Sequence, residues 1–143
     1  MMSVYIAAPY ACKQAAREAR TIVESYEFPV ISRWLDFEDG GPIETTDPVV
    51  LRREAIADVE DVLDADALIV LNLEKSEGKS VETGLMLGRA LTAQAIRELY
   101  PERQLPIPPI LVVGTASNIF HYHPLVTMCD DLDHAIRILK GSL

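Results

Sequence analysis

Apolar and polar positions follow two rhythms along this chain. Short, nearly unbroken apolar runs occur at Ser3–Ala8 (SVYIAA), Ala67–Leu73 (ALIVLNL) and Ile110–Val113. Runs of that length predict strands buried on both faces. Between them the apolar spacing changes to three and four. Ala16, Ala19, Ile22, Val23 and Tyr26 fall on one face, which predicts a helix over Lys13–Tyr26. Leu51, Ala55, Val59, Val62 and Leu63 mark a second stripe running to about Ala65, with Glu60, Asp61 and Asp64 toward solvent. Asp47–Pro48 opens that helix with a capping side chain and a proline at the first helical position. A third helix is expected over Ser80–Ala93, reaching toward Arg97. A terminal helix is expected over Asp131–Lys140, its acidic start and basic end matching the helix dipole.

Breakers separate these elements. Pro9 ends the first strand, Pro29–Arg33 reads as a short second strand, and Val126–Met128 as the last. Asp36–Thr46 is polar and holds Gly40–Gly41–Pro42, so it reads as a loop. Pro101–Pro109 carries four prolines and reads as an extended connection. Strand and helix alternate throughout. The expectation is one α/β domain over residues 1–143. It is a doubly wound, mostly parallel sheet of about five strands flanked by helices, in a flavodoxin- or Rossmann-like arrangement. Such sheets bind ligands at the carboxyl ends of their strands, which directs attention to Ala8–Cys12, Asn72–Glu82 and Gly114–His123.

Composition narrows the function classes. The chain is 49% hydrophobic and 24% charged, enough to bury a core. A net charge of −9 opposes binding to nucleic acid or anionic membranes, yet leaves room for one small anion in a local pocket. Two cysteines, Cys12 and Cys129, are too few for a disulfide framework and suit no common zinc site. A soluble, cytoplasmic protein without signal segment, membrane span, metal or organic cofactor is expected.

The segment Leu68–Gly88 (LIVLNLEKSEGKSVETGLMLG) joins a strand through a loop to a helix start. Free N–H groups and the positive dipole end favour an anion there. Ser76, Gly78, Lys79 and Ser80 would complete a phosphate cradle, or merely cap a helix. Gly78–Lys79–Ser80 resembles the end of a P-loop, but the glycine required five residues earlier is Leu73. Glu82 follows in the first turn, either complementing the dipole or acting chemically. Gly84 and Gly88, four apart, suggest close backbone packing or ligand approach. Asp58 borders the apolar stripe of its helix, so it is paired or functional. Tyr5 is core unless its hydroxyl orients a carboxylate, and Tyr10 follows it. Trp34 packs or stacks on a base, and the segment Ser32–Gly41, through Trp34 or Asp36, is a guess at the base reader. His121 and His123 flank Tyr122 without an evident third metal ligand, which favours a loop surface. Cys12 lies near a helix start without a histidine beside it.

Taken together, SVYIAAPYA, ADVEDVLDADALIVLNL, SEGKSVETGLMLGRAL and SNIFHYHP resemble, in order and spacing, the nucleoside 2-deoxyribosyltransferase family, including its relatives that hydrolyse nucleoside 5'-monophosphates. The resemblance implies Glu82 as the nucleophile at the sugar C1', Tyr5 as the residue that orients it, and Asp58 as the group that protonates or holds the base. It places Ser76 where the transferases carry an aspartate and the monophosphate hydrolases a serine. It gives Ser117 or Asn118 a role across a subunit interface, and with it a homodimer or larger assembly. The chemistry is coherent: an ionised carboxylate stabilises or traps an oxocarbenium-like sugar while a second acid assists the leaving base. A non-catalytic nucleotide sensor and a P-loop-like NTPase are the competing readings.

Overall fold

The computed structural model describes residues 1–37, 44, 46–74 and 76–141. Four strands form one parallel sheet in the order β1 (Val4–Ala7), β2 (Ala67–Leu71), β3 (Ile110–Val113), β4 (Val126–Cys129). Val4 stands opposite Ala67, Leu68 opposite Ile110, and Ile110 opposite Val126. Every residue of β1 and β2 is buried. The unbroken apolar runs are therefore explained by helices covering both faces of the sheet. Those helices are α1 (Lys13–Ser25), α2 (Pro48–Asp64), α3 (Glu77–Leu99) and α4 (Leu132–Gly141). No helix among the described residues is long and apolar enough to cross a membrane.

The fifth strand expected at Pro29–Arg33 is reduced to a single parallel bridge, Val4 with Val30. The Val4 N–H donates to the Pro29 carbonyl at 2.8 Å and Ile31 N–H returns to the Val4 carbonyl at 3.0 Å. Pairing then stops, because the next β1 donor, Ile6 N–H, goes to the Ser32 hydroxyl at 2.7 Å. The chain turns away at once into a 3-10 turn over Arg33–Asp36. This remnant still lies on the outer side of β1, whereas β2 lies on the other. The connections therefore run in opposite directions from β1, and the crevice between β1 and β2 is the switch point where such sheets bind ligands.

Other boundaries differ for identifiable reasons. The Asp47 carboxylate does cap α2, accepting Val49 N–H at 2.9 Å. The face of α2 that enters the core is Ala57, Asp61 and Val62, while Val59 and Leu63 are exposed. Asp61 was expected in solvent. It is instead buried, gripping Arg33 through both the backbone N–H and Nε, each at 2.9 Å. The α3 helix begins at Glu77, earlier than the expected Ser80, because Ser76 serves as its N-cap. Glu82 is consequently in the second turn and not the first. A Cβ added at Gly84 or Gly88 would meet nothing within 4 Å, so close packing within the chain does not explain these glycines. The loop expected over Asp36–Thr46, with Gly40–Gly41–Pro42, falls largely outside the described residues.

Ser32→Ala leaves the Ile6 N–H buried without an acceptor. We expect a loss of about 1–3 kcal/mol, read as a lower urea midpoint at unchanged slope. An unchanged midpoint would show that the hydroxyl is not what holds the Ser32 turn to β1.

Candidate active site

Three elements bring Tyr5, Asp58 and Glu82 to the crevice beside β1. Tyr5 is the second residue of β1 and is wholly buried. Asp58 lies on α2, and Glu82 on the face of α3 turned toward both. They line one cleft of about 130 Å³ together with Tyr10, Trp34 and Glu54. Gly78 admits Glu82 to this cleft: a Cβ at Gly78 would lie 3.7 Å from both Glu82 Oε1 and Ser76 Oγ.

Three buried oxygens lack a hydrogen-bond partner: Tyr5 Oη, Asp58 Oδ1 and Glu82 Oε2. Buried polar atoms are ordinarily paired, so three orphans in one cleft mark a place prepared for something else. Burial pushes the Glu82 carboxyl up to about 8, and the charge of Asp58 adds to the rise. The Tyr5 hydroxyl opposes it, facing Glu82 in a geometry short of an ordinary hydrogen bond. Burial, with Asp61 and Glu54, pushes Asp58 up to about 6, while Arg33 and Lys13 pull it back. Tyr5 is raised far beyond the ordinary tyrosine range by burial and by Glu82, so it stays a neutral hydroxyl.

The walls are braced by residues that pattern alone did not single out. Asp61 holds Arg33, and the turn that follows carries Trp34. The Trp34 indole N–H donates to the Ile6 carbonyl at 2.8 Å, so only the ring faces a ligand, 6.2 Å from Tyr10 between centroids. Lys13 is buried beneath the same wall, 4.5 Å from the Tyr10 ring centre and 2.7 Å from the Phe37 carbonyl. Glu54 stands four residues before Asp58, a helical spacing that could have revealed it. Lys13 gave no comparable signal, since its partners are distant in sequence.

The expected phosphate cradle divides between two cavities. Ser76 and Gly78 line the Glu82 cleft. Ser76 also lines a separate cavity of about 420 Å³ with Lys79, Ser80, Ser117 and Asn118. The Lys79 ammonium is buried there, bonded to Asn72 Oδ1 at 2.8 Å and to the Glu74 carbonyl. It therefore does not line the Glu82 cleft. His121, expected on a loop surface, is buried in the wall of this second cavity. Its Nδ1 accepts Ser117 N–H, whereas His123 Nδ1 accepts Leu125 N–H, so the two rings serve different loop bonds. Cys12 is partly buried with a free thiol and does not line the cleft.

No protein-family model matches this chain, and no curated protein matches it. Among solved structures it is similar to a CMP N-glycosidase, BcmB, from Clostridium botulinum, with a TM-score of 0.50 and 13% identity. The match covers 97% of this chain and 98% of that one. The likeness establishes the fold: a single parallel α/β domain of the Rossmann-like, nucleoside 2-deoxyribosyltransferase-like kind.

The Glu82 shift has a defined sign for stability. The unfolded chain releases this proton near pH 4.5, whereas the folded chain keeps it to about 8. Stability is therefore highest at low pH and falls as pH rises through that window. Glu82→Gln removes the penalty. Its melting temperature should exceed the wild type's above pH 8, by at least about 3 °C, with the gap closing at pH 4. Equal melting temperatures at both pH values would contradict the buried, partnerless carboxyl.

Proposed function

We propose that this protein cleaves the N-glycosidic bond of a nucleoside 5'-monophosphate. The observation that carries this reading is the cleft in which Tyr5, Asp58 and Glu82 each present a buried, unpartnered oxygen. Two carboxyl groups with raised pKa values facing one small cavity are what this reaction needs. One stabilises positive charge as it grows at C1' and can bond to it. The other gives the departing base a proton.

In the empty cleft the higher value belongs to Glu82. Around pH 7 the pair therefore holds one proton, mainly on Glu82. The productive arrangement, with Glu82 ionised and Asp58 protonated, is favoured as positive charge develops beside Glu82 in a site screened from water. The neutral Tyr5 hydroxyl is placed to donate to the ionised carboxylate and keep it directed at the sugar. The Tyr10 and Trp34 rings offer a wall for the base.

A 5'-phosphate is favoured over a free 5'-hydroxyl by Ser76. A neutral hydroxyl at the N-terminus of α3 can donate to a phosphate oxygen, where an aspartate would repel it. Water as the acceptor of the sugar is supported by the nature of the similar structure, an N-glycosidase. Transfer to a second base requires only that such a base reach C1' before water.

The test is chromatographic detection of free base from ribo- and deoxyribonucleosides and their 5'-monophosphates, with and without a second base. We expect release from a monophosphate without added acceptor. Its kcat/KM should follow a bell with limbs near pH 6 and pH 8, both belonging to the carboxyl pair. Ser76→Asp should lower the preference for monophosphate over nucleoside by at least about fivefold. Nucleotide binding without base release from any substrate would replace the enzyme with a sensor. Product formed only with added base would make it a transferase.

A further inference from the structure

The cavity on the far side of Ser76 contains two hydrogen-bond donors that face each other with no acceptor between them. His121 is 5% exposed. Its Nδ1 accepts the Ser117 backbone N–H at 3.0 Å, so the imidazole proton must sit on Nε2. Protonating Nδ1 as well would point two N–H groups at each other, and both burial and the nearby Lys79 charge oppose a cationic ring. Asn118 is equally fixed. Its Oδ1 accepts Phe120 N–H at 2.9 Å and His121 N–H at 3.3 Å, which turns Nδ2 toward the imidazole. Asn118 Nδ2 and His121 Nε2 stand 3.4 Å apart. Donor against donor satisfies neither group, and a buried N–H without an acceptor is costly. An acceptor seated between them would satisfy both.

The rest of the cavity narrows what that acceptor is. The Lys79 ammonium and His121 share its wall, with Glu77 the one carboxylate among the lining residues and itself exposed. Ser76 and Ser80 bring hydroxyls, and the first turn of the 23-residue α3 brings N–H groups without helical partners. A water molecule could satisfy the His121–Asn118 pair and nothing further. An anion with several oxygens can bridge from that pair to the helix start within about 420 Å³.

We propose that this cavity is a phosphate subsite in which His121 Nε2–H and Asn118 Nδ2–H donate to one oxygen and Lys79 supplies the compensating charge. The subsite stands on its own hydrogen bonding. The base-release reading bears only on whether the phosphate is free or belongs to a sugar whose reacting carbon lies at Glu82, across Ser76.

The experiment is a ¹⁵N–¹H titration of the His121 imidazole in the full chain at pH 7 and constant ionic strength, first with inorganic phosphate and then with ribose 5-phosphate. We expect a saturable shift of the Nε2–H resonance. Asn118→Asp keeps the Oδ1 cap but sets an oxygen against Nε2–H, filling the gap internally. It should weaken phosphate binding at least about tenfold. His121→Phe, which removes the second donor, should do the same, with circular dichroism confirming the fold. Competition between inorganic phosphate and ribose 5-phosphate would assign the subsite to the substrate's 5' end, and additive binding would assign it to free phosphate. No saturable shift, or wild-type affinity in both variants, overturns the proposal. Base release surviving such a result would leave the Glu82 chemistry standing, and phosphate binding without base release would do the reverse.

Discussion

The arrangement at the carboxyl end of the sheet depends on one carboxyl group, Glu82, being withdrawn from water without a permanent partner. Burial holds its proton to about pH 8. The same withdrawal gives the ionised form its strength, because a carboxylate in a poorly screened cleft attracts a nearby positive carbon far more than one in water does. The stability that is lost in keeping Glu82 and Asp58 together is thus linked to the reaction they are placed to perform. Tyr5 moderates the conflict: a neutral hydroxyl beside Glu82 can favour its ionised form without adding charge.

The fold supplies this environment at its switch point. β1 carries Tyr5 in its interior, and the loop after β2 feeds α3, which carries Glu82. The chain leaves β1 on the side opposite β2 and touches it again only at Val30. Ser32 closes that contact, Arg33 locks onto Asp61 of α2, and Trp34 is thereby set against the cleft. Because Asp61 and Asp58 share α2, the ion pair that anchors the wall also tunes the acid facing it: Asp61 raises Asp58 and Arg33 lowers it.

Much of this was legible in the linear pattern. The four strands of the sheet and the bounds of α1, α2 and α4 follow from apolar runs, apolar spacing and the Asp47–Pro48 start, to within a residue or two. Asp58 at the edge of a core face and Glu82 beside a glycine were visible as candidates. What remained hidden was decided by partners distant in sequence. The Pro29–Arg33 strand fails because a serine hydroxyl replaces a backbone acceptor. Asp61 looked like one more solvent carboxylate, since nothing local shows that Arg33 reaches it. His121 looked like a loop residue because its burial comes from Ser117, Asn118 and Lys79 folding around it. The division of the phosphate cradle could not be read at all, because residues adjacent in sequence on α3 face different cavities.

The central claim is that Glu82 bonds to the sugar. The most direct measurement is mass spectrometry of the protein after rapid acid quench, using a 2'-fluorinated nucleoside 5'-monophosphate, whose electron-withdrawing substituent slows departure of the trapped sugar. The account predicts base release accompanied by a mass gain of one sugar phosphate, carried on the peptide containing Glu82 and absent from Glu82→Gln. Base release with the label on another residue, or undiminished release by Glu82→Gln, would contradict it.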